Sequence, residues 1–250
     1  MTARADLSRP PAGAEAAADP PAVECLHSDA DLLVLCKPSG LLCVPGRGPD
    51  KQDCLSARAQ QRWPGALIVH RLDQATSGIV VMARSLPVQR ALSQAFAERR
   101  VHKEYLAVVR GRPAAPVPAP LQAQPHLATA DTADTAAWHT IDLPIAADWE
   151  RRPLRVIDHA QGKPSVTRWR VLADEPATSS SRVALQPVTG RTHQLRVHLA
   201  ALGHPILGDA LYADAATQAA SPRLLLHATH LALLHPVTGA PLAFRSPAPF

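Results

Sequence analysis

Between Ala66-Leu67-Ile68-Val69 and Ile79-Val80-Val81-Met82 lies a polar nonapeptide, His70-Arg71-Leu72-Asp73-Gln74-Ala75-Thr76-Ser77-Gly78. The flanking runs are short, apolar and β-branched, the pattern of buried strands. The nonapeptide is therefore a loop held between two strands, and it presents His, Arg, Asp, Thr and Ser together. Gly78 supplies backbone freedom at its end. Read from residues alone, the stretch is either a hairpin in which Asp73 caps a turn and Arg71 is solvated, or a loop that carries chemistry.

The rest of the chain supplies elements around this loop. Residues 22–27 and 32–36 read as paired strands, and Lys37-Pro38-Ser39-Gly40 opens a loop. A helix is expected over 53–63, ended by Pro64 and Gly65. Ser85 is the expected N-cap of an amphipathic helix over 86–100, with Val88, Leu92 and Phe96 spaced along one face. A strand over 102–109 alternates, with Lys103, Tyr105 and Ala107 on one side and Glu104, Leu106 and Val108 on the other. Further strands are expected over 165–172, 182–187, 224–234 and 241–244. Between them a helix over 193–202 carries Leu195, Leu199 and Leu202 at helical spacing. Strands dominate and most are joined by hairpins or irregular loops, which argues for an α+β fold built on an extended, mostly antiparallel mixed sheet with flanking helices.

Composition limits the class. With 250 residues, 46% of them hydrophobic, the chain can bury a real core. No run approaches the ~20 apolar residues of a membrane span, and no apolar core of a signal peptide opens the chain. Four cysteines, Cys25, Cys36, Cys43 and Cys54, are too widely spaced for a CxxC pair and read as reduced thiols. The net charge is +5, and because only four of the 26 basic residues are lysines it is carried by arginine. Arginine forks suit phosphate and stack on unpaired bases, which is compatible with nucleic acid without proving it. His193, His198, His227 and His230 do not share a helix face with any completing carboxylate or cysteine, so no metal is expected.

Residues 1–21 are rich in Ala and Pro and are expected to be a disordered tail. Residues 22–250 are expected to form one domain, interrupted by a Pro/Ala/Thr-rich surface insertion over 112–137.

HRLDQATSG resembles the HRLDxxTSG catalytic motif of the RluA-type pseudouridine synthases. Lys37-Pro38-Ser39-Gly40, Lys103-Glu104-Tyr105, Gly190-Arg191-Thr192-His193-Gln194-Leu195-Arg196, Gly203-His204-Pro205-Ile206-Leu207-Gly208-Asp209 and Arg223-Leu224-Leu225-Leu226-His227-Ala228 follow the same family's blocks in order. The likeness runs from about residue 23 to 250 and fades across the insertion. It implies the family's fold, with a central RNA-binding cleft, and an isomerase that turns uridine into pseudouridine without a cofactor. It also implies Asp73 as the nucleophile, attacking C6 of the base or C1′ of the ribose, and Arg196 as the partner that keeps it charged. Tyr105 is implied to lie against the uracil and to help proton movement at C5. Arg71 would occupy the space left by an extruded base, and His70 and Thr76 would shape the loop. Lys103, Arg191, His193 and Gln194 complete the RNA-contacting set, and Leu195 is either an apolar pocket wall or ordinary core.

The blocks through residue 228 are most similar to a dual-specificity branch of the family that modifies 23S rRNA and the tRNA anticodon stem-loop. RNA is thus the expected partner of a cytoplasmic monomer with no N-terminal auxiliary RNA-binding domain. Two rivals stand beside this reading: a family member with a different single target, or a catalytically silent RNA-binding protein on the same fold. A third is a carboxylate-dependent hydrolase using Asp73 with a histidine.

Overall fold

The computed structural model describes residues 23–114 and 138–250. The expected tail, and the expected insertion beyond residue 114, lie outside them. Strands β1 (Glu24–Ser28) and β2 (Leu32–Lys37) pair antiparallel across a turn in which the Asp29 carboxylate accepts from the backbone N–H groups of Asp31 and Leu32. Helix α1 (Leu55–Arg62) leads into β3 (Leu67–Ile68), and the polar loop then returns into β4 (Ser77–Ala83). β3 is only two residues long, pairing Leu67 with Ala83 and Ile68 with Met82, so the strand expected over 66–69 peels off the sheet early.

Helix α2 (Leu86–Ala97) starts where expected, with the Ser85 side chain accepting from the Val88 N–H, and it buries Val88 and Leu92. It stops short of Arg100. Arg99 enters the left-handed region at φ 59° and donates its N–H to Phe96, while Arg100 donates to Ala95. That pair of bonds satisfies the last carbonyls of the helix in the usual glycine-capped manner, here with an arginine in the glycine's place.

Strand β5 (His102–Arg110) follows, then β6 (His139–Asp142) and a separate two-stranded ribbon of β7 (Ile145–Ala147) and β8 (Arg155–Ile157). The long hairpin of β9 (Val166–Glu175) and β10 (Ser180–Pro187) delivers the chain to α3 (Gln194–Ala201). A short α4 (Ala215–Ala219) precedes β11 (Leu226–Leu234) and β12 (Pro241–Arg245). Leu202, expected to extend the apolar stripe of α3, is instead its exposed C-terminal cap. The helix needs no such stripe, because it is buried on nearly every side and its polar residues find partners inside the protein.

The main sheet runs β1-β2-β4-β11-β5-β10-β9-β6, with β3 added to β4 and β12 to β11. Every pairing is antiparallel except one. β4 and β11 run parallel and meet through Ser77 opposite His227 and Gly78 opposite Ala228. All seven residues of β4 are buried, because α2 covers one face while Leu55 and Ala59 of α1 cover the other. This explains why its sequence is a continuous apolar run rather than an alternating one. Beyond the parallel seam, a second core gathers Trp169, Val183 and Leu185 from the sheet with Leu195 and Leu199 from α3. The mostly antiparallel α+β architecture is thus the expected one.

Among the described residues, no helix is long and apolar enough to cross a membrane. All four cysteines are free thiols; Cys43 and Cys54 are buried, whereas Cys25 and Cys36 are half-buried.

Candidate active site

The polar loop between β3 and β4 is fixed by its backbone. Lys37 is fully buried, and its ammonium donates to the carbonyls of Pro38, Leu41 and Gln74. Gly40 N–H donates to the same Gln74 carbonyl, and the Ser39 hydroxyl to that of Ala75. Burial outweighs the nearby Asp73 charge and pulls Lys37 down to about 8. On the other side of the turn, Thr76 N–H donates to the Asp73 carbonyl and Leu72 N–H to the Cys43 sulfur. The KPSG block therefore clamps the loop from below, a use the sequence reading did not assign to it.

Gly78 closes the loop for a steric reason. Its φ is 112°, and a Cβ built on it would stand 2.4 Å from the Ala228 carbonyl oxygen. Only glycine allows β4 and β11 to approach this closely.

Asp73 sits at the floor of a cavity of about 490 Å³, whose lining draws on the loop, β5, the end of β10 and the start of α3. Its carboxylate is 25% exposed, and each oxygen faces one donor: Arg196 Nη1 is 3.8 Å from Oδ2 and His193 Nε2 is 3.9 Å from Oδ1. Neither is a hydrogen bond at that distance. Arg196 was expected as the partner of Asp73, and it does face it. Its tight partner is Asp209, to which it donates from Nε at 2.8 Å and Nη2 at 2.6 Å in a fork. With a buried charge beside it, a guanidinium is held by the carboxylate that matches both donors. Asp209 is fully buried and leaves Nη1 of Arg196 to face Asp73.

Tyr212 completes this corner. The Arg196 guanidinium lies over its ring at 5.1 Å, while its hydroxyl is 2.7 Å from Nδ1 of His193 and accepts from the Arg155 N–H at 2.9 Å. His193 does not belong to α3 as expected. It precedes the helix in the left-handed region at φ 58°, which turns its ring toward Tyr212 and the cavity.

The other nominated residues divide by exposure. Tyr105 lines the cavity beside Leu72 and Ala228, and burial together with the Asp73 charge pushes its hydroxyl well above the usual phenol range. His70 accepts the Val81 N–H, stacks on Phe96 at 4.4 Å and is pulled down to about 3 by burial, so it is a neutral brace behind the loop. Gln194 was grouped with RNA-contacting residues, yet its amide is committed inside the protein: it accepts from Thr189 and Arg191 and donates to Val166 and Thr167. Leu195 serves both as core and as cavity wall. Thr76 is buried at the cavity edge.

Arg71 and Arg191 are exposed on the rim, and Arg71 has no side-chain partner among the described residues. Lys103 also lines the cavity, its ammonium 5.9 Å from the Phe96 ring. Arg99, which sequence reasoning passed over, joins them.

Asp209 and Tyr212 were also missed. The signal was available: no acid lies within a turn of Arg196 on its own helix, and a buried arginine must find one. Asp209 is the next acidic residue along the chain. The histidines considered together disperse. His198 bonds Thr167 and the Leu143 carbonyl, and His227 lies between Ser77 and Ser246. Two ligand-type clusters, His102/Glu104/His230 and Asp29/Asp31/His235, lie away from the cavity. His235 accepts two backbone N–H groups at Nδ1, which leaves its Nε2 proton pointing at the acids rather than a lone pair for a metal.

Residues 31–201 match the family model described as RNA pseudouridylate synthase. The chain belongs to this family. It is 42% identical over 225 residues to the protein named dual-specificity RNA pseudouridine synthase RluA of Escherichia coli K12, covering 90% of this chain and 93% of that one. To the protein of the same name from Haemophilus influenzae it is 41% identical over 230 residues, covering 92% and 95%. Among solved structures, human RNA pseudouridylate synthase domain containing 1 superposes with a TM-score of 0.70 at 30% identity, covering 92% of this chain and 84% of that one. Human domain containing 4 follows at 0.64 and 27%, covering 90% and 88%. The protein is thus an isomerase that converts uridine in RNA to pseudouridine.

Proposed function

We propose that this pseudouridine synthase acts as a monomer in the cytoplasm on uridines in both 23S rRNA and the tRNA anticodon stem-loop, with Asp73 as its nucleophile. The observation that carries the assignment of Asp73 is the arrangement of its carboxylate. It opens into a cavity within the range of about 300–1,000 Å³ typical of small-ligand sites, with a fixed guanidinium facing one of its oxygens. The dual target is supported by 42% identity along nine-tenths of the chain to a dual-specificity enzyme.

Pseudouridine formation breaks the N1–C1′ bond, rotates the base and forms a C5–C1′ bond; the C5 proton leaves, N1 gains one, and no electrons are exchanged. The site offers groups for flipping, attack and holding the base. Arg71, free on the rim, fills the gap in the stack from which the uridine is extruded, offsetting a flipping cost of a few kcal/mol. Arg99, Lys103 and Arg191 meet phosphates around the cavity mouth. Asp73, faced by the Arg196 guanidinium, attacks the flipped nucleoside at C1′, displacing N1, or at C6, adding across the C5–C6 double bond; in either case the bond it forms is broken again on the way to the C5–C1′ product and the carboxylate is returned. Tyr105 keeps its proton, so its phenol works as a wall and hydrogen-bond donor for the base, not as a phenolate. Leu195 closes the apolar side.

The test is tritium release from RNA labelled at C5 of uridine, together with maps of pseudouridine in rRNA and tRNA from cells lacking the protein. Release by the wild type, its loss in Asp73→Ala, and missing sites in both RNA classes are expected. Missing sites in one class alone would refute dual specificity, and no release from any RNA would refute the catalytic assignment.

A further inference from the structure

We propose that His193 is a positioning residue for the nucleophile: a neutral imidazole, locked in one tautomer by Tyr212, that directs an Nε2–H donor at Oδ1 of Asp73 as Arg196 directs Nη1 at Oδ2. The proposal rests on the reading of Asp73 as the nucleophile and gives His193 a task other than contact with RNA.

The tautomer follows from counting donors. The Tyr212 oxygen already accepts the backbone N–H of Arg155 at 2.9 Å. Its own proton has one acceptor within reach among the described residues, Nδ1 of His193 at 2.7 Å. Nδ1 is therefore unprotonated, and the ring proton of the neutral imidazole resides on Nε2, which faces Asp73. The charged groups around the ring are Asp73 and Asp209 on one side of the balance and Arg196 and Arg155 on the other. Burial lowers the basicity of His193; Asp73 and Asp209 oppose this, and Arg196 and Arg155 add to it. The ring is rigidly seated, tilted 77° against Tyr212 at 5.6 Å, on a residue whose left-handed backbone aims the side chain inward.

At 3.9 Å the Nε2–Oδ1 gap is open in the free enzyme. Contacts of this kind tighten when substrate enters and water leaves. With both donors engaged, the carboxylate can present only one orientation to the nucleoside. Without His193 it can swing about its Cβ–Cγ bond toward Arg196.

Two substitutions separate positioning of Asp73 from mere support of the loop. The Asn side-chain amide reaches the place of Nδ1, and that of Gln reaches the place of Nε2. His193→Asn keeps a bond to Tyr212 but loses the donor to Asp73, and Asn tolerates the left-handed backbone well, so the fold is preserved. His193→Gln does the reverse. Single-turnover pseudouridine formation, RNA affinity and thermal melting are measured for wild type and both variants. The expected result is His193→Asn about tenfold slower with unchanged affinity and melting, and His193→Gln within about threefold of wild type, on the scale of one charge-assisted hydrogen bond. Wild-type rates in His193→Asn, or a His193→Gln slower than His193→Asn, overturn the proposal. An Asp73→Ala variant that still forms pseudouridine overturns the reading of Asp73 itself, and this proposal with it.

Discussion

Arg196 and Arg71 line one cavity, and the protein treats them in opposite ways. Arg196 is almost completely buried, forked onto Asp209 and stacked on Tyr212. Arg71 is exposed and has no partner among the described residues. The difference separates two kinds of work. A charge that must stabilise another charge during a reaction is worth most when it cannot relax, in a site where water does not screen it. A charge that must meet RNA gains from being free, because phosphates and bases approach from many directions and the neutralised contacts release counterions. Floor and rim of the cavity are thus built to different rules.

Four measurements can break or sharpen this contrast. The largest effect is expected from Asp209→Ala, which strands a buried guanidinium: stability should fall by about 3–5 kcal/mol in denaturant titration, with loss of most activity. A loss under about 1 kcal/mol would mean that Arg196 is not fixed in the way the geometry indicates.

Next is Gly78→Ala, whose added carbon meets the Ala228 backbone. Strain and overpacking together should cost about 3 kcal/mol, read as a lowered melting temperature, and activity should fall because the loop is displaced.

Smaller is the pH dependence from His227, buried between Ser77 and Ser246 and pulled down to about 4 by burial and by Arg223. A histidine whose folded value lies below its unfolded value of about 6.5 contributes stability that is complete above that value. It is lost as pH falls toward 4. Stability should drop by about 1–3 kcal/mol over this window, and His227→Gln should flatten the slope.

The smallest effect on the fold is expected from Arg71→Ala, within about 0.5 kcal/mol of wild type. Binding should nevertheless weaken, and the log–log salt slope of RNA affinity should shrink by about 1. A destabilised Arg71→Ala would dissolve the distinction between rim and floor.

What could be read from the chain and what could not follow the same physical line. Ser85 capping α2, the alternation of Lys103 and Tyr105 on β5, and the buried run of β4 are set by neighbours within a few residues, so their pattern is visible locally. Asp73, Tyr105 and Arg196 could be nominated because each lies in a compact block resembling a known family. The roles of Lys37 and Tyr212 were hidden because they exist only through partners distant in the chain, the Gln74 carbonyl and the His193 ring, whereas that of Asp209 could have been sought as the next acid after a buried Arg196. His193 was placed in a helix because apolar spacing says nothing about a left-handed residue at its entrance. Gln194 was assigned to RNA because its position in the block was visible, whereas the four internal bonds that occupy its amide were not.

The two-residue parallel seam between β4 and β11 has a consequence for how the enzyme comes into being. Asp73 hangs from the strands on one side of it, while Tyr105 and Arg196 belong to the other side. A nascent chain that has not yet extruded residues 226–234 has two unfinished half-sheets and no strand to join them, so Asp73 and Tyr105 have no fixed relation. Catalytic competence is therefore expected only after β11 has been made, and a product truncated before residue 226 is expected not to modify RNA.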